Sequence, residues 1–374
     1  MAITIARAES AAEISKVCEL RYRIYIEELQ IPTPEADHEW RWLRDPLEEH
    51  SISFAAWKDG EAIGSLRLTL LRDLPDPQPL LSRLNMHPAF AAFGPEAICT
   101  TSRFMLDPRM RNGRVIYPLM KAVYEHARDR GVRLNFGDCS PHQLRFYEHL
   151  GFRSYENGFA DPAYGFKLPL LMLMGDREEF ASRRTPLARV ANAYPRDEDA
   201  RRWFGEIYAG EAPAVTGNSL GKGGVQQRLR ECLNDEPTRR CGLLRGVASE
   251  GLDFILDGAT VFRVRAGDRI TRRGEPATAA FLLAAGEAHA QGAERRHAVT
   301  PGGHFGQTVS CHSPTHAETV IAETPSTVVA IASDFFAKLR RQKPDLAARL
   351  DANLAKLPSA RLGGLTREAA AGTA

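Results

Sequence analysis

The sequence has no CxxC pair. Its six cysteines, Cys18, Cys99, Cys139, Cys232, Cys241 and Cys311, are scattered through 374 residues. That spacing excludes a zinc ribbon, argues against a disulfide framework, and reads as reduced thiols. Long apolar runs are also missing. Residues 168–174 are apolar but read as one buried strand, far short of a membrane span. The first residues are polar and include acids, without the apolar core of a signal peptide. The expectation is a cytoplasmic protein with no membrane span. Neither sign of charge predominates: the net charge is +2, so bulk electrostatics does not point to nucleic acid. There is no internal repeat. The glycine run at residues 217–224 has no strand before it and lacks the Gly-Lys-Ser/Thr of a P-loop, so it reads as a flexible linker. His142 and His149 have no evident third ligand, and no metal is expected.

The length favours two domains, and residues 99–152 are the most informative stretch of the first. Residues 100–106 are β-rich, and residues 108–113 form a basic turn. Ile116, Leu119, Met120, Val123 and Ala127 recur at a helical period until Gly131. A short strand at residues 134–136 follows. Ser140 then caps a helix with Pro141 at its first position, and Leu150-Gly151-Phe152 ends it. The basic turn entering a helix is an anion site in physical terms, with unpaired N–H groups and the positive end of the dipole. Arg109, Arg111 and Arg114 add charge to it. The other reading is a solvated basic turn. Upstream, residues 11–30 form an amphipathic helix and residues 37–49 an acidic, Trp-containing segment. Two strands meet at Lys58-Asp59-Gly60, a hairpin signal.

This order, together with the FYEHLGF run at residues 146–152, resembles the GNAT acyltransferase superfamily. The resemblance places a pyrophosphate, as in coenzyme A, or a phosphopantetheine arm at Arg109, Arg111, Asn112, Gly113 and Arg114. Met110 and Val115 depart from that superfamily's turn pattern and suggest a divergent branch. Arg21, Arg23 and Tyr25, the acidic segment, the strand residues 64–67, and Ser102-Arg103-Phe104 are similar to the acyl-homoserine-lactone synthases and the long-chain N-acyl amino acid synthases. The Ser-Pro-His run starting at Ser140 is closer to the latter. Thr100 stands where autoinducer synthases usually carry an acid, which argues against a homoserine-lactone product. The resemblance covers residues 10–185. It implies a fatty acyl thioester as co-substrate, acyl-CoA or acyl-phosphopantetheine on an acyl carrier protein, and a small amine acceptor such as an amino acid.

Amide formation needs a base for the amine, a donor for the departing thiolate, and polarisation of the carbonyl. Asp37, Glu39 and Asp45 are candidate bases, with a water relay or a solvated acidic loop as alternatives. Tyr147, which GNAT folds place beside the thioester sulfur, is the candidate proton donor, or else a packed aromatic. Backbone N–H groups of residues 101–104 would polarise the carbonyl. Arg21, Arg67 and Arg103, with Ser102 and Phe104, are the candidate substrate contacts, since guanidinium groups fork onto carboxylates. The alternative is ion pairing with Asp37, Asp45 or Glu27.

From about residue 225 the strands become short and regularly punctuated, the pattern of a small barrel or jelly roll. Gly267-Asp268, Gly274-Glu275-Pro276, Gly286 and the run from Pro301 to Gly306 resemble the cyclic-nucleotide-binding domain family. Gln307 stands where that family has its ribose-binding glutamate, and His316-Ala317 where it has arginine and a small residue. The cassette formed by Gly306, Gln307, His316 and Ala317 is therefore degenerate: His316 would be a cation only when protonated. No helix-turn-helix follows, so no DNA binding is expected.

The expected architecture is an α/β (α+β) GNAT-like domain at residues 1–185, a linker with a helix and glycine-rich loop at 186–224, an all-β jelly-roll domain with flanking helices at 225–357, and a tail at 358–374. The expected activity is N-acyl transfer, the rival a non-catalytic sensor or scaffold. The reading leaves room for a homodimer.

Overall fold

A computed structural model describes residues 2–31, 33–111, 115–210, 212–216, 243–293, 295–306 and 315–355. The chain divides into two compact units, Met1–Val215 and Thr216–Ala374.

The first unit begins with β1 (Thr4–Arg7) and α1 (Ala11–Tyr22). Ser10 starts α1: its Oγ accepts from Glu13 N–H at 3.2 Å, and Glu13 returns a bond to the Ser10 amide at 2.9 Å. The expected long helix does not continue as an α-helix. Arg23–Glu28 form a π-helix, with Leu29 N–H donating to Ile24 O at 2.9 Å. The wider turn sets Tyr25 against the later site. Next come the two-stranded ribbon of β2 (Ala36–Asp37) and β3 (Trp42–Leu43), and a 3-10 turn at Pro46–His50. Strands β4 (Ile52–Lys58) and β5 (Glu61–Leu70) form the expected hairpin. Helices α2 (Gln78–Arg83) and α3 (His87–Phe93) lead to β6 (Ile98–Leu106), α4 (Ile116–Asp129), β7 (Leu134–Cys139) and α5 (Leu144–His149). Strand β7 runs three residues beyond the end expected from sequence. The unit ends with β8 (Arg153–Ser154), β9 (Phe159–Asp161), β10 (Gly165–Leu173), α6 (Arg177–Ser182), α7 (Ala188–Ala191) and α8 (Glu198–Ile207).

The sheet runs β1-β4-β5-β6-β7-β10-β8, with β9 on β10. Only the β6–β7 pair is parallel among those described, and it is short: Ile98, Cys99 and Thr100 oppose Leu134, Asn135 and Phe136. Beyond it β6 continues to Leu106 and β7 to Cys139 with no register between them, so the strands splay. Leu81, Leu84, Ile98, Phe136 and Leu171 form a hydrophobic core on one face of the sheet, and Ala200 of α8 joins it. Residues 186–215, expected as linker, thus belong to the first unit.

Strand β11 (Ala214–Thr216) spans the boundary, and only its last residue belongs to the second unit, which continues with α9 (Ser249–Gly258), β12 (Thr260–Val264), β13 (Arg269–Thr271), β14 (Ala279–Ala285), β15 (Ala288–Gln291), β16 (Arg296–Val299), β17 (His304–Phe305), β18 (Thr319–Ala322), β19 (Ser326–Ala332), α10 (Ser333–Gln342) and α11 (Pro344–Ala355). Two antiparallel sheets, ordered β11-β12-β19-β14-β17 and β13-β18-β15-β16, make the expected jelly roll. Phe281 stacks on Phe305 inside it, ring centres 5.4 Å apart. The glycine run at 217–224 and the tail lie outside the described residues, as do Cys232, Cys241 and Cys311. Cys18, Cys99 and Cys139 are buried and unpaired.

Gly151 ends α5 at φ +100°, and a Cβ there would stand 2.6 Å from Phe180 Cε1. Gly151→Ala is expected to destabilise the first unit by about 1–3 kcal/mol through backbone strain and overpacking. Trp40, Trp42, Trp57 and Trp203 all lie in that unit, so tryptophan fluorescence during urea unfolding reads it alone. An unmoved midpoint would contradict this reading of the turn.

Candidate functional site: a splayed pair of strands beside a buried arginine network

The network is built by register. Ser53 of β4 opposes Arg67 of β5, which opposes Ser102 of β6, so the three share a face. α1 brings Arg21 over that face, and the 3-10 turn brings Asp45 and Glu48. The i, i+3 eclipse of that turn puts the two acids side by side. Arg21 is fully buried. It pairs with Glu48 and donates from Nη2 to Ser53 Oγ at 2.7 Å. Arg67 donates to Asp45 Oδ1 at 2.5 Å, Glu48 Oε2 at 3.2 Å and Ser102 Oγ at 3.1 Å. Arg103 donates to Asp45 Oδ2 at 2.6 Å and Tyr164 Oη at 2.6 Å, and its guanidinium lies 5.3 Å from the Tyr25 ring centre. Three guanidinium charges face two carboxylates, leaving one positive charge in excess.

Burial alone would push both acids up. Arg67 and Arg103 overcome it at Asp45 and hold that carboxyl far below its ordinary 3.8. Arg21 and Ser53, with Arg67, overcome it at Glu48, which lies below its ordinary 4.5. Of the ion partners expected for these arginines, Asp45 is one. Glu27 pairs instead with Arg41. Glu48 was not singled out in the sequence, although its place three residues after Asp45 on a Pro-led turn was the available signal.

The splay lies beside this network. Strand β6 carries a bulge: Ser65 opposes Met105 and Arg67 opposes Ser102, so Arg103 and Phe104 together oppose Leu66. Arg103 takes φ +53° there, a conformation that costs a non-glycine residue about 1–3 kcal/mol and persists only when its surroundings impose it. Asp45 and Tyr164 hold the side chain that imposes it. Phe104 stacks on Phe146 of α5, ring centres 5.6 Å apart and nearly parallel at 5°. Tyr147 packs edge-on to Phe146 and Phe152 at 5.3 and 5.6 Å. Burial pushes the Tyr147 phenol well above its ordinary value, so it keeps its proton at neutral pH. The structure thus brings Arg21, Arg67, Ser102, Arg103, Phe104 and Tyr147 to one region of the sheet.

It does not bring the other candidates there with free groups. Asp37 is exposed and its Oδ1 accepts from the Glu39 and Trp40 amides at 3.0 and 2.9 Å, capping its own turn; Glu39 is exposed on the same turn. Arg109 is bidentate on Asp107, both contacts 2.8 Å, which holds Asp107 down at about 2. Arg111 pairs with Glu28, the longer contact 2.6 Å. Both turn arginines therefore arrive with a carboxylate attached. Asn112, Gly113 and Arg114 lie outside the described residues.

In the second unit, Gly306 has φ +75°, and a Cβ would come 2.8 Å from Phe281 Cδ2. His316 is buried beside the same ring, centres 6.1 Å apart, and burial pushes it down to about 4. Its Nδ1 has no hydrogen-bond partner among the described residues. The imidazole is neutral at neutral pH. Ala317 is exposed, and Gln307 lies outside the described residues. Among the described residues no group of three or more ligating side chains could hold a metal ion, and no helix is long and apolar enough to cross a membrane.

The acidic pair fixes the sign of a pH effect. A carboxylate depressed by folding contributes stability above its unfolded pKa, and that contribution is lost as pH falls towards the folded value. Below about pH 4.5 the first unit is expected to lose stability steeply. Asp45→Asn, which breaks a buried pair, should cost about 3–5 kcal/mol at neutral pH and flatten the acid limb. His126 and His142, pushed down to about 4 by burial, add a loss that starts below 6.5, but it is common to parent and variant. Parallel acid limbs in tryptophan-monitored unfolding would contradict the network's role.

Residues 16–174 match the family model described as N-acyl amino acid synthase FeeM, and residues 261–343 that of the cyclic nucleotide-binding domain. No curated protein matches the chain. Among solved structures, TofI in a ternary complex with an inhibitor and MTA is 21% identical over 50% of this chain and 99% of its own, TM-score 0.38. FeeM, an N-acyl amino acid synthase from uncultured soil microbes, is 14% identical over 50% of this chain and 98% of its own, TM-score 0.38. A cyclic nucleotide-binding domain from Methylobacillus flagellatus is 17% identical over 40% of this chain and 84% of its own, TM-score 0.33. Residues 16–174 are thus an enzyme domain similar to the N-acyl amino acid synthase FeeM family, and residues 261–343 a domain similar to the cyclic nucleotide-binding family.

Proposed function

We propose that the first domain moves an acyl group from a thioester to the amine of a small acceptor such as an amino acid. The observation that carries this reading is the bulged, splayed β6 end facing Tyr147. A thioester laid between β6 and β7 would find backbone N–H groups of residues 101–104 for its carbonyl oxygen. It would find in Tyr147 a phenol still holding its proton for the sulfur. Asp45 is a poor base, because two guanidinium groups hold it ionised. Asp37 is engaged in its turn. A water relay to solvent takes the amine proton. The single excess positive charge of the network suits an acceptor that carries a carboxylate.

Of the two donors, acyl-phosphopantetheine on a carrier protein is favoured. Its one phosphate asks for less free positive charge than coenzyme A, and Arg109 and Arg111 are already paired with Asp107 and Glu28. The second domain is read as an interaction or assembly module, or one for a changed ligand, because no fixed cation stands at His316. The protein is proposed to work in the cytoplasm.

Incubation with a long-chain acyl carrier protein or acyl-CoA and amino acids is expected to give N-acyl amino acids by mass spectrometry, faster with the carrier protein. Tyr147→Phe should keep the fold and lower kcat about tenfold or more, the scale of general-acid assistance. Unchanged kcat with chemistry rate-limiting would remove Tyr147 from the mechanism, and a preference for acyl-CoA would reverse the donor assignment. Calorimetric titration of the full chain with cyclic AMP and cyclic GMP should show no micromolar binding near neutral pH. A missing charge partner forfeits about 2–5 kcal/mol. Micromolar binding would overturn the reading of a degenerate cassette.

A further inference from the structure

A second polar cluster stands on the face that carries the arginine network, across the splay from it. Thr100 shares that face with Ser102 and opposes Phe136 on β7, so Asp138, two residues on, lies on the same side. On β10, Pro169 opposes Asp138, and Lys167, two residues earlier, shares its side. The contacts agree with the register. Lys167 Nζ lies 3.4 Å from Ser140 Oγ, 3.9 Å from Asp138 Oδ1 and 5.6 Å from the Tyr164 ring centre. Tyr164 reaches the other wall through Arg103. Arg83 donates to Asp138 Oδ2 at 3.0 Å and stands 3.1 Å from Asp161 Oδ2.

Lys167 differs from every other cation in the two clusters. Arg21, Arg67, Arg103 and Arg83 each have a carboxylate oxygen within 3.0 Å. The Lys167 side chain is only 14% exposed, yet its ammonium, with three donors to place, meets one hydroxyl at the long edge of hydrogen bonding and a carboxylate beyond it. An ammonium withdrawn from water without a close partner is costly, and an incoming anion would relieve that cost. The five cations face Asp45, Glu48, Asp138 and Asp161, so one positive charge is unmatched on this face. Ser140 leads directly through the turn Pro141–Gln143 into α5. After burial itself, the Asp138 carboxylate is near enough to Tyr147 to disfavour its ionisation. The open donors therefore sit at the same strand end as the proposed proton donor.

We propose that Lys167 Nζ, with Ser140 Oγ, binds the α-carboxylate of the amino acid acceptor and so turns its amine toward the thioester. This rests on the acyl-transfer reading above. In the reaction it serves, the acceptor's own ammonium first gives one proton to solvent. The nitrogen then bonds to the thioester carbon, the carbon–sulfur bond breaks as Tyr147 gives its proton to the sulfur, and the second amine proton passes through water to restore the Tyr147 phenol. Lys167 exchanges no proton; it determines which amines are accepted.

The test compares an amino acid with its own carboxamide, using the full chain and one acyl thioester donor. The wild type is expected to favour the amino acid about tenfold or more in kcat/KM. Lys167→Met should raise the KM of the amino acid about ten- to a hundredfold, the scale of one charged hydrogen bond, while changing kcat little and bringing the two acceptors level. Lys167→Arg should restore most of the preference. Tryptophan fluorescence verifies that each variant is folded, and the wild-type preference stands as a test even where a variant is not. A wild type that treats acid and amide alike, or a folded Lys167→Met protein that keeps the preference, overturns the inference while leaving acyl transfer in place. A wild type that acylates no amine overturns acyl transfer itself, and this inference with it.

Discussion

Asp45 is the joint on which the first domain's site depends. One of its oxygens takes Arg67 and the other takes Arg103. That single carboxylate ties the 3-10 turn to two neighbouring strands, and it holds Arg103 in a backbone conformation that a strand would otherwise refuse. Glu48, one turn on, ties in Arg21 and Ser53. Buried pairs of this kind contribute little net stability, because desolvation consumes most of their attraction; what they do is penalise any arrangement that leaves a partner alone. The network therefore serves geometry more than stability. It fixes the bulge, and the bulge sets where β6 leaves its parallel partner.

The proposed chemistry follows from that departure. A parallel pair that stays in register has no backbone groups to offer a substrate. Here pairing ends at Thr100 and Phe136, and residues beyond them face a gap flanked by Phe104, Phe146 and Tyr147. Aromatic walls suit an acyl chain, and a phenol whose ionisation is opposed by burial suits a leaving thiolate. The polar side chains proposed for recognition share one face of the sheet, where the five named cations outnumber the four named acids. The helix and hydrogen-bonding pattern around the gap is likewise specialised: the π-turn that swings Tyr25 toward Arg103 is a local departure of the sort found at functional sites.

Much of this was legible in sequence. The strand-turn-helix order of residues 98–152, the capped helix at Ser140, and the jelly-roll spacing of the second half all follow from periodicity and turn residues. The arginines could be named from the resemblance, with Asp45 as one partner, because a guanidinium group taken out of water needs an anion. What could not be read were the features set by tertiary contacts. Neither the π-turn nor the bulge at Arg103 has a local signature: Ile24, Tyr25 and Ser102 would fit a regular helix and a regular strand. Glu48 has a local signal in its spacing from Asp45, but its partners Arg21 and Ser53 come together only in the folded chain. The helix at residues 198–207 was assigned to a linker because its charged face dominates the composition, while Ala200, Trp203 and Phe204 pack on the core. The basic turn was read for its charge, but Asp107 and Glu28 occupy two of its arginines, a pairing that only the folded chain displays.

The central claim is that the splay between β6 and β7 receives the thioester. A crystal structure with a non-hydrolysable acyl-pantetheine donor would test it most directly. The account predicts the carbonyl oxygen against the backbone of residues 101–104 and the sulfur position beside the Tyr147 hydroxyl, with the acyl chain along Phe104 and Phe146. A donor bound anywhere else on the first domain, with the gap between the strands left empty, would contradict it.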